Sequence, residues 1–197
     1  MRVVCATHNS GKLREFAGAL GEQGVTLVAQ DSLGIGPACE DGLTFVENAL
    51  LKARHAAAIS GLPALADDSG LEVDALGGRP GIHSARFAGD GADDSRNREA
   101  LLAALADTPE DRRQARFYCV LVFLRHAHDP RPLIAEGIWE GRILMSAQGD
   151  GGFGYDPLFY VPTHRCSAAV LDPEEKRRIS HRGQALRALT RAFERHV

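Results

Sequence analysis

The chain has 197 residues, of which 44% are hydrophobic and 25% are charged, and its formal net charge is -3. This length and composition predict one folded domain with a real hydrophobic core and exclude a disordered chain. The slightly acidic balance argues against a broad basic surface for nucleic acid, so any bound phosphate should meet a local group of Lys and Arg. No apolar run approaches the roughly 18 residues that a membrane helix needs, so we expect no membrane partner.

Cysteine usage indicates the compartment. Cys5, Cys39, Cys119 and Cys166 are widely spaced, and none belongs to a C-x-x-C pair. This scatter favours free thiols in a reducing compartment over a disulfide framework or a zinc site. Because the chain opens directly on strand-like residues with no signal peptide ahead of them, we expect a cytoplasmic protein.

In chain order, the first motif is a polar loop between a strand and a helix. Residues 2–6 predict the strand, and Thr7, His8, Asn9, Ser10, Gly11 and Lys12 lead from it into the helix. Such a loop aims backbone N–H groups and a helix dipole at an anion, and Lys12 is well placed for a phosphate. The alternative is an ordinary turn in which Asn9 and Ser10 cap the helix. The segment does not match a P-loop.

A second strand is predicted over residues 25–29, and Glu40 lies in the loop that follows. Thr44 and Glu47 form a capping box, which predicts a helix ending near Ser60. Further along, residues 95–105 and 184–195 predict amphipathic helices, and Asp172 with Pro173 marks a helix start. Residues 116–124 predict a central strand covered on both faces, and residues 133–139 predict another, with a chain reversal at 140–143.

Residues 66–70, Ala-Asp-Asp-Ser-Gly, lie between two short apolar runs. This pattern predicts a buried strand that ends in an acidic turn. The adjacent carboxylates of Asp67 and Asp68 repel each other unless a positive charge lies beside them, and Mg2+ prefers such oxygen ligands. The alternative is a solvated turn, because Asp, Ser and Gly all favour turns.

Residues 148–157 surround Phe153 with glycines. Glycine lets a backbone approach a ligand closely, and the aromatic ring offers a stacking face for a base. The alternative is a plain turn with Phe153 in the core. A basic run, Lys176 to Arg178, then precedes His181 and Arg182; we expect Arg177 and Arg178 to be solvated.

Together these motifs suit phosphates, a divalent cation and an aromatic base, which are the parts of a nucleoside triphosphate. Six segments resemble, in order, the inosine triphosphate pyrophosphatase family (Ham1/RdgB-like non-canonical purine NTP pyrophosphatases). They are Thr7-x-Asn9-x-x-Lys12-x-x-Glu15, Thr44-Phe45-x-Glu47-Asn48-Ala49, Ala66-Asp67-Asp68-Ser69-Gly70-Leu71, Pro80-Gly81-Ile82-x-Ser84-Ala85-Arg86, Gly152-Phe153-Gly154-Tyr155-Asp156-Pro157 and Ser180-His181-Arg182-Gly183. The resemblance covers nearly the whole chain.

The resemblance implies an α/β fold: a long mixed central sheet flanked by helices, forming a single domain, residues 1–197, of two lobes with an active-site cleft between them. It implies Mg2+-dependent hydrolysis of ITP, dITP and XTP to the nucleoside monophosphate and pyrophosphate, which removes deaminated purines from the nucleotide pool. It also implies a homodimer. The expected ligand is the nucleoside triphosphate substrate, and no nucleic acid is expected to bind.

The resemblance also implies roles for single residues. Asp68 is the implied catalytic base and a metal ligand, supported by Glu40 and Asp67. The implied substrate-binding residues are Thr7, His8, Asn9, Ser10, Gly11 and Lys12 for the triphosphate, Ser69, and Phe153, Gly154, Tyr155, Asp156, Lys176, His181 and Arg182 around the base. Val170 and Arg177 stand where the family commonly has an acid and Asn, which leaves the fine substrate preference open.

Three rival hypotheses remain at this stage. One is a pyrophosphatase for another base, such as a Maf-like enzyme acting on modified pyrimidines. Another is a nucleotide-binding module without turnover, which predicts that the acidic residues of segment 66–70 are replaced; Asp67 and Asp68 are both present. The third is a nucleic-acid-binding protein, which the acidic balance disfavours and which would bind with steep salt dependence.

Overall fold

The structure is a computed structural model that describes residues 1–196. Val197, the end of the predicted domain, lies outside the described residues. The helices are α1 (Ser10–Gly21), α2 (Phe45–Ser60), α3 (Asp94–Ala104), α4 (Pro173–Ile179) and α5 (His181–His196), and the strands are β1 (Arg2–Cys5), β2 (Thr26–Ala29), β3 (Ala64–Val73), β4 (Gln114–Leu124), β5 (Leu133–Ile143), β6 (Phe159–Val161) and β7 (Cys166–Ser167). Among the described residues, none of the helices is long and apolar enough to cross a membrane.

The strands form one seven-stranded sheet in the order β2-β1-β3-β4-β5-β6-β7. The pairs β1–β2 and β1–β3 are parallel, whereas β5–β6 and β6–β7 are antiparallel. The sheet is therefore mixed, and the predicted α/β fold with a mixed central sheet and flanking helices is confirmed.

Contacts between Cα atoms divide the chain into two compact units. Unit 1 contains Met1–Asp68, Cys119–Gly137 and the described part of the chain from Arg182 onward. Unit 2 contains Ser69–Tyr118 and Ile138–His181. The division falls inside β3, β4 and β5, so these three strands contribute residues to both units.

Each unit has its own hydrophobic core. In unit 1, α1 packs Phe16 and Leu20 against Val3, Cys5 and Leu65 of the strands, and α5 adds Ala185, Leu186, Leu189 and Phe193. In unit 2, Leu101 of α3 joins Phe117, Trp139 and Phe159. The apolar spacing of these helices predicts their inward faces only in part: Phe16, Leu20, Leu101, Leu186, Leu189 and Phe193 are buried, whereas Leu13 and Leu102 are half-buried and Ala17 is exposed.

Most helix boundaries follow the predicted capping signals. Asp172 accepts hydrogen bonds from the N–H groups of Glu174 and Glu175 at the start of α4. Thr44 caps α2 by accepting from the N–H of Glu47, whose carboxylate in turn accepts from the N–H of Leu43. The helix predicted over residues 184–195 begins earlier, at His181.

Two predicted turns are wrong, because the strands run through them. The predicted acidic turn lies inside β3, a strand of ten residues between β1 and β4, and the extended backbone of this strand overrides the turn preference of Asp, Ser and Gly; β1 itself pairs only with Ala64 and Leu65. The predicted reversal at residues 140–143 lies inside β5. Gly141 is required there for another reason: a Cβ atom would collide with the Phe159 ring and the Tyr160 carbonyl.

The turn between β4 and β5 depends on one buried carboxylate, that of Asp129, whose side chain is 1% exposed. It accepts hydrogen bonds from the guanidinium and N–H of Arg125 and from the N–H of Arg131. The Arg125 guanidinium holds the pKa of Asp129 well below its ordinary value, although burial opposes this.

We predict that Asp129→Asn lowers the free energy of unfolding by about 1–3 kcal/mol at pH 7, because a buried acceptor loses charge-assisted hydrogen bonds. A carboxyl group whose pKa is lowered in the folded state stabilises the fold at pH values above its unfolded pKa, about 3.9. This stabilisation is lost as the pH falls below that value. The difference between wild type and variant should therefore shrink below about pH 4. Urea unfolding at several pH values measures it, with the exposed Asp107→Asn as the control; a difference that does not change with pH would contradict the prediction.

Candidate functional site

The register of the sheet brings two of the predicted motifs together in unit 1. Cys5 of β1 lies beside Leu65 of β3, and the Ala6 N–H donates to the Leu65 carbonyl at 2.8 Å. Because these neighbouring strands are parallel, the loop after β1 and the acidic residues after Leu65 emerge at the same edge. This juxtaposition places Lys12 next to Asp67.

Asp67 forms a buried ion pair with Lys12. The Lys12 Nζ lies 2.7 Å from the Asp67 Oδ2, and the Asp67 side chain is only 2% exposed. Burial alone would raise the pKa of Asp67, but the positive charges of Lys12, Arg182 and Lys52 outweigh it, so the pKa lies below its ordinary value. Asp67 is therefore held as a permanent anion.

Asp68 points to the opposite face of β3 and meets a different lysine. Its Oδ1 accepts a hydrogen bond from the Lys52 Nζ at 3.2 Å, and the same ammonium donates to the Glu40 Oε2 at 2.9 Å. Burial raises the pKa of Asp68 above its ordinary value, and Lys52 offsets this only in part. Within residues 1–196, the buried Asp68 Oδ2 has no hydrogen-bond partner. One carboxylate oxygen is thus left as an acceptor.

Lys52 is a residue of the candidate site that the sequence motifs did not indicate. Burial would lower its pKa, but Asp68, Asp67 and Glu40 together raise it, so the ammonium remains charged. Its position on the helix contained a signal: it lies three residues after Ala49 and four before Ala56, both fully buried. A lysine on the buried face of a helix needs an anionic partner.

The loop before α1 combines both interpretations suggested by its sequence. Asn9 caps the helix, because its Oδ1 accepts from the N–H groups of Gly11 at 2.9 Å and Lys12 at 3.0 Å. Thr7 Oγ1 accepts from the Asn9 N–H, and Ser10 is exposed at the first position of α1. The cap therefore uses two of the N–H groups that an anion could otherwise bind.

His8 is held from both sides of its ring. Its Nδ1 lies 2.6 Å from the Asp31 Oδ1, and its Nε2 lies 2.7 Å from the Gln30 Nε2. An amide nitrogen can only donate, so the His8 Nε2 accepts and its Nδ1 carries the proton toward Asp31.

A pocket of about 110 Å³ opens in unit 1 beside these side chains. The predicted site residues that line it are Thr7, His8, Lys12, Glu40 and Asp67, and Lys52 completes the charged part of the wall. The pocket is small, and its wall combines apolar residues with the charged side chains of Lys12 and Lys52. We call Lys12, Glu40, Lys52, Asp67 and Asp68 the carboxylate–lysine cluster.

The second group of predicted residues lies in unit 2 and surrounds an exposed aromatic ring. The Phe153 side chain is 55% exposed, and the Lys176 Nζ lies 4.9 Å from its ring centroid. Lys176 also forms an ion pair with the buried Asp156, whose Oδ2 accepts the Phe153 N–H at 2.7 Å. Tyr155 is buried and donates its hydroxyl to the Ser84 carbonyl. We call Phe153, Gly154, Tyr155, Asp156 and Lys176 the glycine–aromatic cluster.

The remaining predicted residues are divided between the units. His181, in unit 2, is buried and stacks on Phe117 with 4.9 Å between ring centroids. Arg182 belongs to unit 1. Its Nη1 lies 3.4 Å from the Glu15 Oε2, and its positive charge helps to lower the pKa of Asp67. Ser69, in unit 2, is half-buried within β3. Of the predicted group, Lys176 and His181 thus belong to unit 2 and Arg182 to unit 1.

No group of three His, Cys, Asp or Glu side chains in residues 1–196 is arranged to hold a metal ion. Glu40 and Asp68 nevertheless converge on one position, now taken by the Lys52 ammonium, and the Asp68 Oδ2 retains its lone pairs. Mg2+ is usually held by one or two carboxylates, with water and substrate phosphates completing its shell. The donor set fits such an ion.

Comparison with known proteins agrees with the family resemblance. Residues 3–192 match the Ham1 family. The chain belongs to the Ham1 family. The dITP/XTP pyrophosphatase of Salmonella typhimurium is 59% identical over 192 residues, 98% of either chain. The structure of a Ham1 protein from Coxiella burnetii has a TM-score of 0.95 at 46% identity and covers 99% of both chains, and that of the Staphylococcus aureus Ham1 protein has 0.91 at 37% and covers 100% of both.

We predict that Lys12→Met destabilises the fold by about 1–3 kcal/mol, because the buried Asp67 loses its nearest counter-ion. The remaining charges of Arg182 and Lys52 keep the loss moderate. Denaturant unfolding measures it. Lys12→Met combined with Asp67→Asn should recover part of the loss, because an amide needs no counter-ion; a double variant that loses the sum of both single losses would contradict the ion-pair explanation.

Proposed function

We propose that this chain is a Mg2+-dependent pyrophosphatase for non-canonical purine nucleoside triphosphates. Its substrates are dITP, XTP and ITP, and its products are the nucleoside monophosphate and pyrophosphate. The observation that carries the proposal is the Asp68 carboxylate, buried beside Lys52 with one unpartnered oxygen. The name of the Salmonella typhimurium relative, dITP/XTP pyrophosphatase, supports the substrate class.

Glu40 and Asp68 would hold the metal ion. When bound, Mg2+ neutralises phosphate oxygens and so lowers the electrostatic cost of attack on a polyanion. The two lysines add positive charge at the same place: Lys12 and Lys52 both line the pocket, and each is already paired with a carboxylate of β3. The triphosphate end of the substrate therefore binds at the carboxylate–lysine cluster.

Asp68 is the general base. Its carboxylate accepts a proton from water, the water oxygen attacks a phosphorus of the α–β anhydride, and the broken P–O bond releases pyrophosphate. Phosphoryl transfer needs a positioned nucleophile and charge neutralisation more than covalent help. Burial makes Asp68 a stronger base than an ordinary aspartate, whereas Asp67 remains ionised.

The purine base binds at the glycine–aromatic cluster. The exposed Phe153 ring offers a stacking face, and the Lys176 ammonium beside it is a hydrogen-bond donor. A 6-oxo purine presents an acceptor at O6, whereas adenine presents an amino group there. ATP would offer this ammonium no acceptor at that position, so the added hydrogen bond favours 6-oxo purines, while Lys176 keeps its ion pair with Asp156 in either case.

The cellular role that follows is removal of deaminated purines from the nucleotide pool. The proposed location is the cytoplasm, and the proposed oligomeric state is a homodimer. All four cysteines are free, which suits a reducing compartment. Analytical ultracentrifugation of the purified chain tests the homodimer.

We predict that Asp68→Asn lowers kcat for dITP by about 10²- to 10⁴-fold, which is the usual contribution of a general base. The amide keeps the shape of the side chain but cannot take the proton. Chelation of divalent cations should abolish turnover of the wild type, and added Mg2+ should restore it. The measurement is pyrophosphate release from dITP, XTP, ITP, GTP, ATP and dTTP, with the exposed Asp90→Asn as the matched control.

Each arm of this experiment has a result that would overturn part of the proposal. Equal release from GTP and ATP would keep the chemistry but remove the pool-cleaning role. Preferred release from modified pyrimidine nucleotides would favour the Maf-like alternative. Nucleotide binding without any release would leave a binding module, and a fully active Asp68→Asn variant would show that another group is the base.

We predict that Phe153→Ala raises KM for dITP while kcat changes little, because the ring binds the base and does not touch the reacting phosphates. Stacking on an aromatic side chain contributes about 1–3 kcal/mol per base, so the rise should lie between about 5-fold and 160-fold. Ile59→Ala is the control, because Ile59 is 57% exposed and lies on α2. An unchanged KM would exclude Phe153 from base recognition.

A further inference from the structure

Helix α3 holds the loop of the glycine–aromatic cluster by both backbone groups of one residue. The Asp94 Oδ2 accepts the Gly154 N–H at 2.6 Å, and the Arg98 Nη1 donates to the Gly154 carbonyl at 2.8 Å. Asp94 and Arg98 are four residues apart on the helix, so their side chains share one face. Neither residue belongs to a motif that carried the family resemblance.

Gly154 needs this support because of its conformation. Its φ of 58° lies in the left-handed region, and no heavy atom would contact a Cβ there, so glycine is required for its backbone and not for lack of space. Gly149 and Gly152 also have positive φ values. A segment this rich in glycine has many conformations to lose, and fixing one residue costs about 1–2 kcal/mol.

The clamp acts on the residue next to the exposed ring. On the N-terminal side, Phe153 is fixed by the bond from its N–H to Asp156. On the C-terminal side, the peptide groups of Gly154 are fixed by Asp94 and Arg98. The ring therefore has a defined position although more than half of it is exposed. Fixing a binding group before the ligand arrives reduces the entropy lost on binding.

We propose that Asp94 and Arg98 are positioning residues for base recognition: together they clamp Gly154 and so place the Phe153 ring. This inference rests on the proposed function, in which Phe153 stacks on the base. Asp94 and Arg98 themselves touch the loop backbone and not the reacting phosphates, so they affect KM and leave kcat nearly unchanged.

The test is a double-mutant cycle through Phe153. Asp94→Ala and Arg98→Ala should each raise KM for dITP about tenfold, and the two together little more, because both act on the same residue. In a Phe153→Ala background neither change should raise KM further.

Asp94→Asn, which keeps an acceptor oxygen, should recover most of the loss, and the exposed Arg96→Ala on the same helix is the control. An equal rise in KM with and without the Phe153 ring would overturn the positioning role.

Hydrogen exchange at the Gly154 amide tests the clamp without any turnover. Asp94→Ala should accelerate this exchange in the full chain at least about tenfold, whereas Arg96→Ala should not change it. Unchanged exchange in Asp94→Ala would overturn the clamp even if KM rises. A wild-type chain that releases no pyrophosphate from dITP or XTP would contradict the proposed function instead, and thermal unfolding of each variant identifies a fold that is lost as a whole.

Discussion

Two adjacent carboxylates can be buried in β3 only because each meets a different lysine. A strand sends successive side chains to opposite faces, so Leu65 and Asp67 share the side on which α1 packs, while Asp68 faces the other way. Lys12 of α1 and Lys52 of α2 each compensate one acid. The strand, two helices and their lysines therefore form one electrostatic unit, and removing either lysine takes the nearest counter-ion from a buried carboxylate.

The same arrangement gives the two acids different properties. Asp67 is surrounded by three cations and stays ionised, whereas the pKa of Asp68 is raised by burial and by the nearby Glu40. Pairs of titratable groups with opposite shifts are typical of sites that separate an electrostatic role from a proton-transfer role. Residues 67 and 68 have the same chemistry in the sequence, and only the faces of β3 distinguish them.

The sequence predicted the α/β fold, the helix caps and the family, because these depend on local patterns and ordered motifs. It failed at residues 66–70 and 140–143, where Asp, Ser and Gly indicated turns but the pairing of β3 and β5 with their neighbours kept the chain extended. Lys52 was missed because its role depends on Glu40 and Asp68, which lie 12 and 16 residues away along the chain.

The glycine-rich loop shows why a binding ring can depend on residues outside every recognisable motif. Glycine allows the left-handed turns at Gly152 and Gly154, and a Cβ at Gly152 would collide with the Asp156 carboxylate that holds the Phe153 N–H. The same freedom leaves the loop without a preferred conformation of its own. The order must therefore come from charged side chains: Asp156, paired with Lys176, holds the Phe153 N–H, and Asp94 and Arg98 hold the backbone of Gly154. Hydrogen bonds to charged groups are stronger than those between neutral groups, so they can hold a glycine-rich backbone in one conformation. Recognition of a base by this loop thus depends on side chains of α3 and α4 as well as on the Phe153 ring.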